Sequence, residues 1–280
     1  MTRLIEAALR EDLGSGDITT QCTVPADAQA RALLWAREAG VAAGLPLFEK
    51  VMAPLGGRVA VTTRVAEGGR FKAGQVVLEA RGPARAILSG ERVALNLLQR
   101  LCGIATLTAA FVEQARRGDP RVCLLDTRKT TPGLRGLEKY AVACGGGSNH
   151  RLRLDGAILI KDNHLKVAGG IEAAVARARP LGQAVELEVE SLVELDQALA
   201  AGVDTVLLDN FPLARLRAAL RRVAAHNRGR RGPRVATEAS GGITLKKVRA
   251  VAATGVDRIS VGALTHSVRA LDLSLEFIPQ

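Results

Sequence analysis

From about Val122 onward the chain alternates short apolar runs with longer amphipathic stretches, and that rhythm predicts its architecture. The runs VCLLDT, GAILIKDN, AVELEVE, DTVLLDN, RVATEASGG and RISVGAL each have the length of a strand. Between them PGLRGLEKYAVACG, GIEAAVARARP, SLVELDQALAAG, PLARLRAALRRVAAH and TLKKVRAVAATG place apolar residues at helical spacing. Pro132 and Pro212 stand near helix starts, and Gly202 and Gly255 follow helix ends. Strands separated by helices predict a parallel sheet with right-handed crossovers. An open or closed α/β barrel is the expected form, with a doubly wound sheet as the alternative.

The first hundred residues have a different texture. RLIEAALRED is amphipathic at helical spacing, and RVAVTTRVAEGGRFKAGQVVLEARGPARAIL reads as short strands punctuated by glycine, as in a small antiparallel sheet. SGERVALNLLQRLCGIATLTAAFVEQARR predicts a long helix opened by Ser89 and joining two domains, the number that 280 residues favour.

Composition narrows the picture. Apolar residues make up 48% of the chain and aromatics 2%, so the core is built from Leu, Val, Ile and Ala. No run of unbroken apolar residues approaches the roughly 20 needed to span a bilayer. The opening MTRLIEAALREDLGSGD lacks the apolar segment of a signal peptide. The expectation is a soluble, cytoplasmic protein. Cys22, Cys102, Cys123 and Cys144 are scattered without metal-ligand spacing, and read as reduced thiols. The net charge of +11 asks for an anionic partner, but 31 of the 39 basic residues are Arg and the densest stretch, RRVAAHNRGRRGPR, has no aromatic for base stacking. It reads as a helix end and a solvated loop rather than a phosphate track, so neither nucleic acid nor a membrane is expected as a partner. A small, highly charged substrate satisfies the charge balance equally well.

The polar residues gather at one place in the pattern. Nearly every strand-like run of the second half ends in charged or small residues: Asp126-Thr127-Arg128-Lys129, Lys161, Glu188 and Glu190, Asp209, Ser240-Gly241, and Ser260 with Gly262. In parallel barrels the carboxyl ends of the strands open on one face, where chemistry collects. In VELEVE, alternation sets Glu186, Glu188 and Glu190 on one face of a strand whose two faces should both be covered. At least one of these acids should meet a ligand. Asp209 offers a second carboxylate from the next strand, a spacing that suits Mg²⁺ shared with substrate phosphates or hydrogen bonds to sugar hydroxyls. Arg128, Lys129, His150, Arg151, Lys161 and His164 supply the basic side, with arginine forks suited to carboxylates and phosphates. The glycines of ASGGIT and SVGAL suit a phosphate seat. The glycine run of KYAVACGGGSNHR calls for a sharp turn, a close backbone approach or an anion, and the expected outcome is a turn that brings the NHR segment inward.

Taken in order, LREDLGSGDITT, ERVALNLLQRLCGIAT, LLDTRKTTPGLRGLEKYAVACGGGSNHR, ILIKDNH, ELEVESL, LLDNF, EASGGI and TGVDRISVGALTHS resemble the quinolinate phosphoribosyltransferase family nearly end to end. The resemblance implies an open α/β barrel domain of parallel strands (106–267) beside an N-terminal α/β domain, sandwich-like, over 1–105, with a tail of about 268–280 returning to the latter. It implies transfer of phosphoribose from phosphoribosyl pyrophosphate to quinolinate with decarboxylation, Mg²⁺ as cofactor, and a homodimer or hexamer with shared sites. On it, Arg128, His150 and Arg151 hold the quinolinate carboxylates, and Lys129 and Lys161 serve the pyrophosphate and the reaction centre. Glu188 and Asp209 take ribose hydroxyls and metal, Ser240, Gly241 and Gly262 the phosphate, and Arg100 reaches the partner subunit's site. Two departures stand out: Cys102 where the family commonly has serine, and Ser148 where arginine is common. A group of molybdenum-associated proteins shares part of the TRKT block, but the intact NHR, KDNH and EASGG runs favour the transferase.

Overall fold

The computed structural model describes residues 1–230 and 232–278, which form two compact units. The strands, in chain order, are β1 (Gln29–Ala36), β2 (Gly40–Val41), β3 (Ala60–Thr63), β4 (Arg70–Phe71) and β5 (Val76–Pro83), then β6 (Cys123–Leu125), β7 (Ile158–Ile160), β8 (Val185–Val189), β9 (Thr205–Asp209), β10 (Ala236–Ser240) and β11 (Arg258–Ser260), and finally β12 (Leu273–Ile278).

The first unit comprises Met1–Ala109, Thr131–Gly146 and the segment from Ser267. Its main sheet runs β12-β1-β5-β3 and is antiparallel throughout, and β2 pairs with β4. β1 shows why it folds as a strand: its alternate residues Ala32, Leu34 and Ala36 are buried, and the residues between them are partly exposed. Helix Thr2–Leu13 buries Ile5 and Leu9, one turn apart on its apolar face. The segment 131–146 was expected within the barrel domain and groups here instead. Its helix Arg135–Cys144 buries Ala141 and Val142, its Glu138 carboxylate takes the Arg100 guanidinium, and its Tyr140 hydroxyl donates to Glu67 at 2.5 Å.

The long helix runs from Ala84 to Gly118 and starts five residues before the expected Ser89. Pro83 closes β5 and fixes the turn into it. Ser89 lies within the helix and donates its hydroxyl to Asp17 at 2.9 Å. This helix is long and apolar enough to cross a membrane by length and composition, although no unbroken apolar run suggested it. In the fold 56% of its most apolar stretch is buried, and Ile87, Leu98, Leu101 and Ile104 are core residues.

The second unit comprises Ala110–Thr130 and Gly147–His266. Its sheet has the order β6-β11-β10-β9-β8-β7, and every pairing is parallel. Chain neighbours are therefore sheet neighbours except β6 and β7, which are the two edges. This is an open α/β barrel. Leu187, Val206, Leu208, Ala239 and Ile259 fill the strand interiors, in keeping with a core almost free of aromatics. The strands are shorter than the apolar runs suggested. β7 stops at Ile160, and Asp162 and Asn163 open a short helix, Asp162–Ala168, whose N-cap is Lys161.

The glycine run of KYAVACGGGSNHR has a steric cause. Gly145 follows the helix Arg135–Cys144, and a Cβ there would lie 2.4 Å from the Ala105 carbonyl oxygen and 2.6 Å from Thr108 Cβ on the long helix. Gly146 then takes a left-handed φ of +83°. Gly145→Ala should therefore cost about 1–3 kcal/mol by overpacking, a drop of several degrees in the midpoint of a thermal melt. Gly136→Ala, at a helical position with open space around it, should be neutral or stabilising by up to ~1 kcal/mol. Equal melts for the two variants would contradict the steric reading.

Candidate active site

The carboxyl ends of the six parallel strands surround a cavity of about 510 Å³ within the second unit. Arg128, Lys129, His150, Arg151, Lys161, Glu188, Asp209, Ser240, Gly241 and Gly262 all line it. Among the sequence-derived site residues Arg100 lies elsewhere: in the first unit it donates to Glu138 at 2.8 and 2.5 Å and to the Thr131 hydroxyl at 2.7 Å. His164 also falls outside the cavity lining. Its ring Nδ1 accepts the Lys161 backbone N–H at 2.9 Å, closing the first turn of the helix Asp162–Ala168. The glycines 145–147 do not line the cavity either, so their part in the site is to set the path of the chain before Ser148.

That path is fixed by β6. Leu124 and Asp126 turn their backbone groups to Ser148, with Ser148 N–H donating to Leu124 at 2.8 Å and Asp126 N–H to Ser148 at 3.1 Å. Cys123 and Leu125 bond on the other side, toward Asp257 and Val261. The buried Asp126 carboxylate then accepts the His150 backbone N–H at 2.8 Å. Arg128, two residues past Asp126, and Arg151, one past His150, thus reach the same mouth from adjacent stretches of backbone. The Nε–H groups of both guanidiniums are buried without a protein acceptor. Burial, and then the neighbouring Arg128 charge, push the Arg151 guanidinium below its ordinary value. Two arginines held together in this way form a seat for an anion.

On the opposite wall Lys161 pairs with Glu188 at the end of β8, and Asp209 ends β9. Asn210 turns the chain with a left-handed φ of +54°, bonding its amide to Asp209 at 2.6 Å and its backbone N–H to Ser240 at 2.9 Å. Gly241 (φ +84°) packs so closely on this turn that a Cβ would sit 2.3 Å from Asn210 Oδ1. Glycine is therefore required where β10 hands over to Gly242 and the helix Leu245–Ala252. The backbone path Ser240–Thr244 and the start of that helix border the same space, an arrangement suited to phosphate. The Lys129 carbonyl is held by the Thr265 hydroxyl at 2.7 Å. Glu188 and Asp209 offer hard oxygen donors from neighbouring strands and fit Mg²⁺ arriving with a phosphorylated ligand.

Sequence reasoning missed Glu238 and His266, which also line the cavity. Of the VELEVE acids, Glu188 faces the mouth, Glu190 is exposed and Glu186 is buried. Glu186 Oε2 lies 3.1 Å from His150 Nε2, and Glu238 Oε1 lies 3.9 Å from the same nitrogen. The three side chains have metal-ligating atoms within 4.8 Å of one another. The imidazole argues against a cation there. Its Nδ1 accepts the Arg151 backbone N–H at 2.8 Å, so the ring proton sits on Nε2, which donates to Glu186 and has no lone pair to offer. Burial, and then the Glu186 charge, push the Glu238 carboxyl up to about 7.

This shift has a consequence for stability. A carboxyl raised from 4.5 to about 7 binds its proton more tightly in the folded chain, so its contribution is full below 4.5 and is lost as pH rises through about 7. Glu238→Gln should remove that loss, with a melting midpoint that exceeds wild type at pH 8 by an amount that shrinks toward pH 5. The difference in stability should reach up to ~3 kcal/mol. A pH-independent offset between the two melts would contradict it.

Comparison with known proteins finds matches along nearly the whole chain. The family model for the quinolinate phosphoribosyl transferase C-terminal domain matches residues 104–276, and that for the N-terminal domain matches residues 17–102. The chain is 44% identical over 279 residues to the nicotinate-nucleotide pyrophosphorylase [carboxylating] of Mycobacterium leprae, covering 97% of this chain and 95% of that one. Its identity to the protein of the same name from Homo sapiens is 41% over 279 residues, covering 99% and 91%. Among solved structures, NadC from Streptococcus pyogenes superposes with a TM-score of 0.90 at 41% identity, covering 99% of this chain and 96% of that one.

Proposed function

The chain belongs to the quinolinate phosphoribosyltransferase family, and from that premise we propose that it transfers phosphoribose from phosphoribosyl pyrophosphate to the ring nitrogen of quinolinate with loss of CO₂. The products are nicotinate mononucleotide, pyrophosphate and CO₂, a step of de novo NAD synthesis. The observation that carries this reading is the cavity itself, where Arg128, Lys129, Arg151 and Lys161 face Glu188 and Asp209. Those cations outnumber the acids and leave an excess that suits two polyanionic substrates.

Each group has a task that follows from its chemistry. The paired Arg128 and Arg151 guanidiniums clamp the two ring carboxylates and hold the nitrogen in line with C1 of the ribose, which matters because an electron-poor pyridine is a weak nucleophile. His150 holds Arg151 in place through its Nδ1 and spends its Nε2–H on Glu186, so the carboxylate contact that the family resemblance implies for it falls to the two guanidiniums it positions. Departure of pyrophosphate builds positive charge on the sugar, as in glycoside hydrolysis. Glu188 and Asp209 face that charge and the ribose hydroxyls, while Lys129 and Lys161 stabilise the leaving group. Ser240, Gly241 and Gly262 border the space for the 5′-phosphate. Mg²⁺, held by Glu188, Asp209 and the pyrophosphate, would supply charge neutralisation as the leaving group departs. Arg100 of each subunit would complete the partner's site in a homodimer. The free cysteines fit a reducing, cytoplasmic setting.

An end-point assay with quinolinate, phosphoribosyl pyrophosphate and Mg²⁺ should yield nicotinate mononucleotide and CO₂ together. Product from nicotinate in place of quinolinate, without CO₂, would reassign the substrate. Arg128→Ala or Arg151→Ala should weaken quinolinate binding about 10–100-fold, the worth of a charge-assisted hydrogen bond, with a much smaller change for phosphoribosyl pyrophosphate. Equal weakening of both ligands would sink the carboxylate assignment. Arg100→Ala and Lys161→Ala should each be inactive, and mixing them should restore activity through hybrid dimers. Subunit exchange without rescue would rule out a shared site.

A further inference from the structure

Buried acids among the described residues are mostly well supplied with donors, although Glu186 leaves its Oε1 without one. Glu79 accepts from Arg31, Arg64 and Arg81 at 2.6–2.8 Å. Glu138 takes Arg100 and the Thr131 backbone N–H. The half-buried Glu67 takes the backbone N–H groups of Gly44 and Leu45, each at 2.7 Å. Glu238 is the extreme: it is fully buried, neither carboxylate oxygen has a partner in good hydrogen-bond geometry, the Ser260 hydroxyl beside it offers only a weak one, and it lies on the wall of the cavity. An acid placed only for stability would have been given a donor, because an unpaired buried charge is costly.

The groups facing it explain how it persists. Glu186 from β8 presents a second buried carboxylate, and His150 spends its one ring proton on Glu186. Ser260 and Arg258 approach from β11. Buried beside a second carboxylate, and with the His150 ring proton turned to Glu186, Glu238 is favoured as the protonated acid. At neutral pH a substantial fraction is in that form, and it is lost as pH rises above about 7.

The proposed reaction needs such a proton. Once the ring nitrogen is bonded to ribose, the bond from the adjacent ring carbon to its carboxylate breaks, CO₂ leaves, and the electron pair stays on that carbon beside the cationic nitrogen. The carbon must take up one proton, and until it does the electron pair can recapture the CO₂ still in the cavity, so net CO₂ release waits on the proton. The guanidiniums of Arg128 and Arg151 do not release theirs, and the Nε2–H of His150 is committed to Glu186.

Resting on that reading of the reaction, we propose that Glu238 is the proton donor of the decarboxylation half. Its O–H bond breaks as the new C–H bond forms at the ring carbon that lost CO₂. The carboxylate left on Glu238 recovers a proton from water as the products leave. Its place 3.9 Å from His150, beside the residues assigned to the quinolinate carboxylates, puts the acid at the end of the cavity where the CO₂ is lost.

The test is a single-turnover experiment on the full-length enzyme with carboxyl-labelled quinolinate, phosphoribosyl pyrophosphate and Mg²⁺, measuring pyrophosphate and CO₂ in the same quenched samples. In wild type the two should appear together at pH 6.5, with the CO₂ phase slowing as pH rises through about 7. In Glu238→Gln the ratio of the CO₂ rate to the pyrophosphate rate should fall at least tenfold, the dicarboxylated mononucleotide should accumulate, and the pH dependence should vanish. Glu238→Asp keeps the acid but withdraws it by one methylene, and should lower the ratio by a smaller factor. It serves as the test if the Gln variant does not fold. An unchanged ratio in the folded variants, or an equal loss of both phases, would overturn the role of Glu238 while leaving the reaction intact. A wild-type chain that makes neither pyrophosphate nor CO₂ would overturn the reaction, and the proton donor with it.

Discussion

The Asp126 carboxylate accepts the backbone N–H of His150 at 2.8 Å, and much of the site depends on that bond. A parallel sheet with unpaired edges leaves β6 with backbone groups that need partners. Ser148 satisfies two of them, and Asp126 then sets the direction in which the chain leaves the pairing. Arg128 follows Asp126 on one stretch of backbone and Arg151 follows His150 on the other. One buried carboxylate therefore fixes the spacing of two guanidiniums whose Nε–H groups have no acceptor in the protein. A carboxylate directly between the arginines would neutralise the seat. Placed on the backbone, it orders the cations without spending their charge.

The same separation of charge from support recurs around the mouth. Asn210 bonds Asp209 and Ser240 and forces glycine at position 241, so the strand ends β9 and β10 are locked to each other before any ligand arrives. Thr265 holds the Lys129 carbonyl and leaves its ammonium to the cavity. Such a frame meets its reorganisation cost during folding, which is where electrostatic stabilisation of a transition state gains most of its effect. Lys161 is the contrast, since it already pairs with Glu188. A lysine carries its charge on a flexible stem, and exchanging a carboxylate for a pyrophosphate oxygen as the leaving group departs costs it little.

The fold was largely legible because apolar runs and amphipathic stretches alternate without interruption from Val122, and each strand tip carries residues that a buried strand would not. What escaped was set by tertiary contact. The glycine run read as a turn bringing the NHR segment inward, whereas Gly145 clears the Ala105 carbonyl on the long helix, a neighbour about forty residues away that no local pattern reveals. The helix began before Ser89 because Pro83 ends β5, while propensity alone made serine the better start. His164 looked like a site cation and caps a helix. Glu238 carried a usable signal: in ATEAS it alternates with Thr237 and Ala239 on a strand covered on both faces, the logic that singled out VELEVE. The phosphate-seat reading of ASGG drew attention to its neighbours instead. The two departures from the family pattern lie at supporting positions: Cys102 is buried against the Ala43 backbone, and Ser148 contributes its backbone to β6.

The basic residues behind the net charge of +11 include two contrasting sets. In the arginine-rich stretch from Arg221 to Arg234, Arg222 pairs with Asp196, Arg230 lies 4.0 Å from Asp204, and Arg234 forks onto Asp257 at 2.6 and 2.7 Å. Arg231 lies outside the described residues. Exposed pairs of this kind add little stability, and arginines engaged with acids present a weak field to a polyanion. The cavity cations differ because they converge on one concave space, where the buried Nε–H groups of Arg128 and Arg151 sit in a lower dielectric that strengthens their interaction with an anion. A surface track would bind anions of any shape. A convergent excess arranged on a rigid frame selects by geometry, and the number of carboxylates a ligand brings then decides whether Arg128 and Arg151 are both satisfied. A ring with a single carboxylate leaves one buried Nε–H unpaired, a cost of the kind that lets a polar site reject a ligand lacking one group.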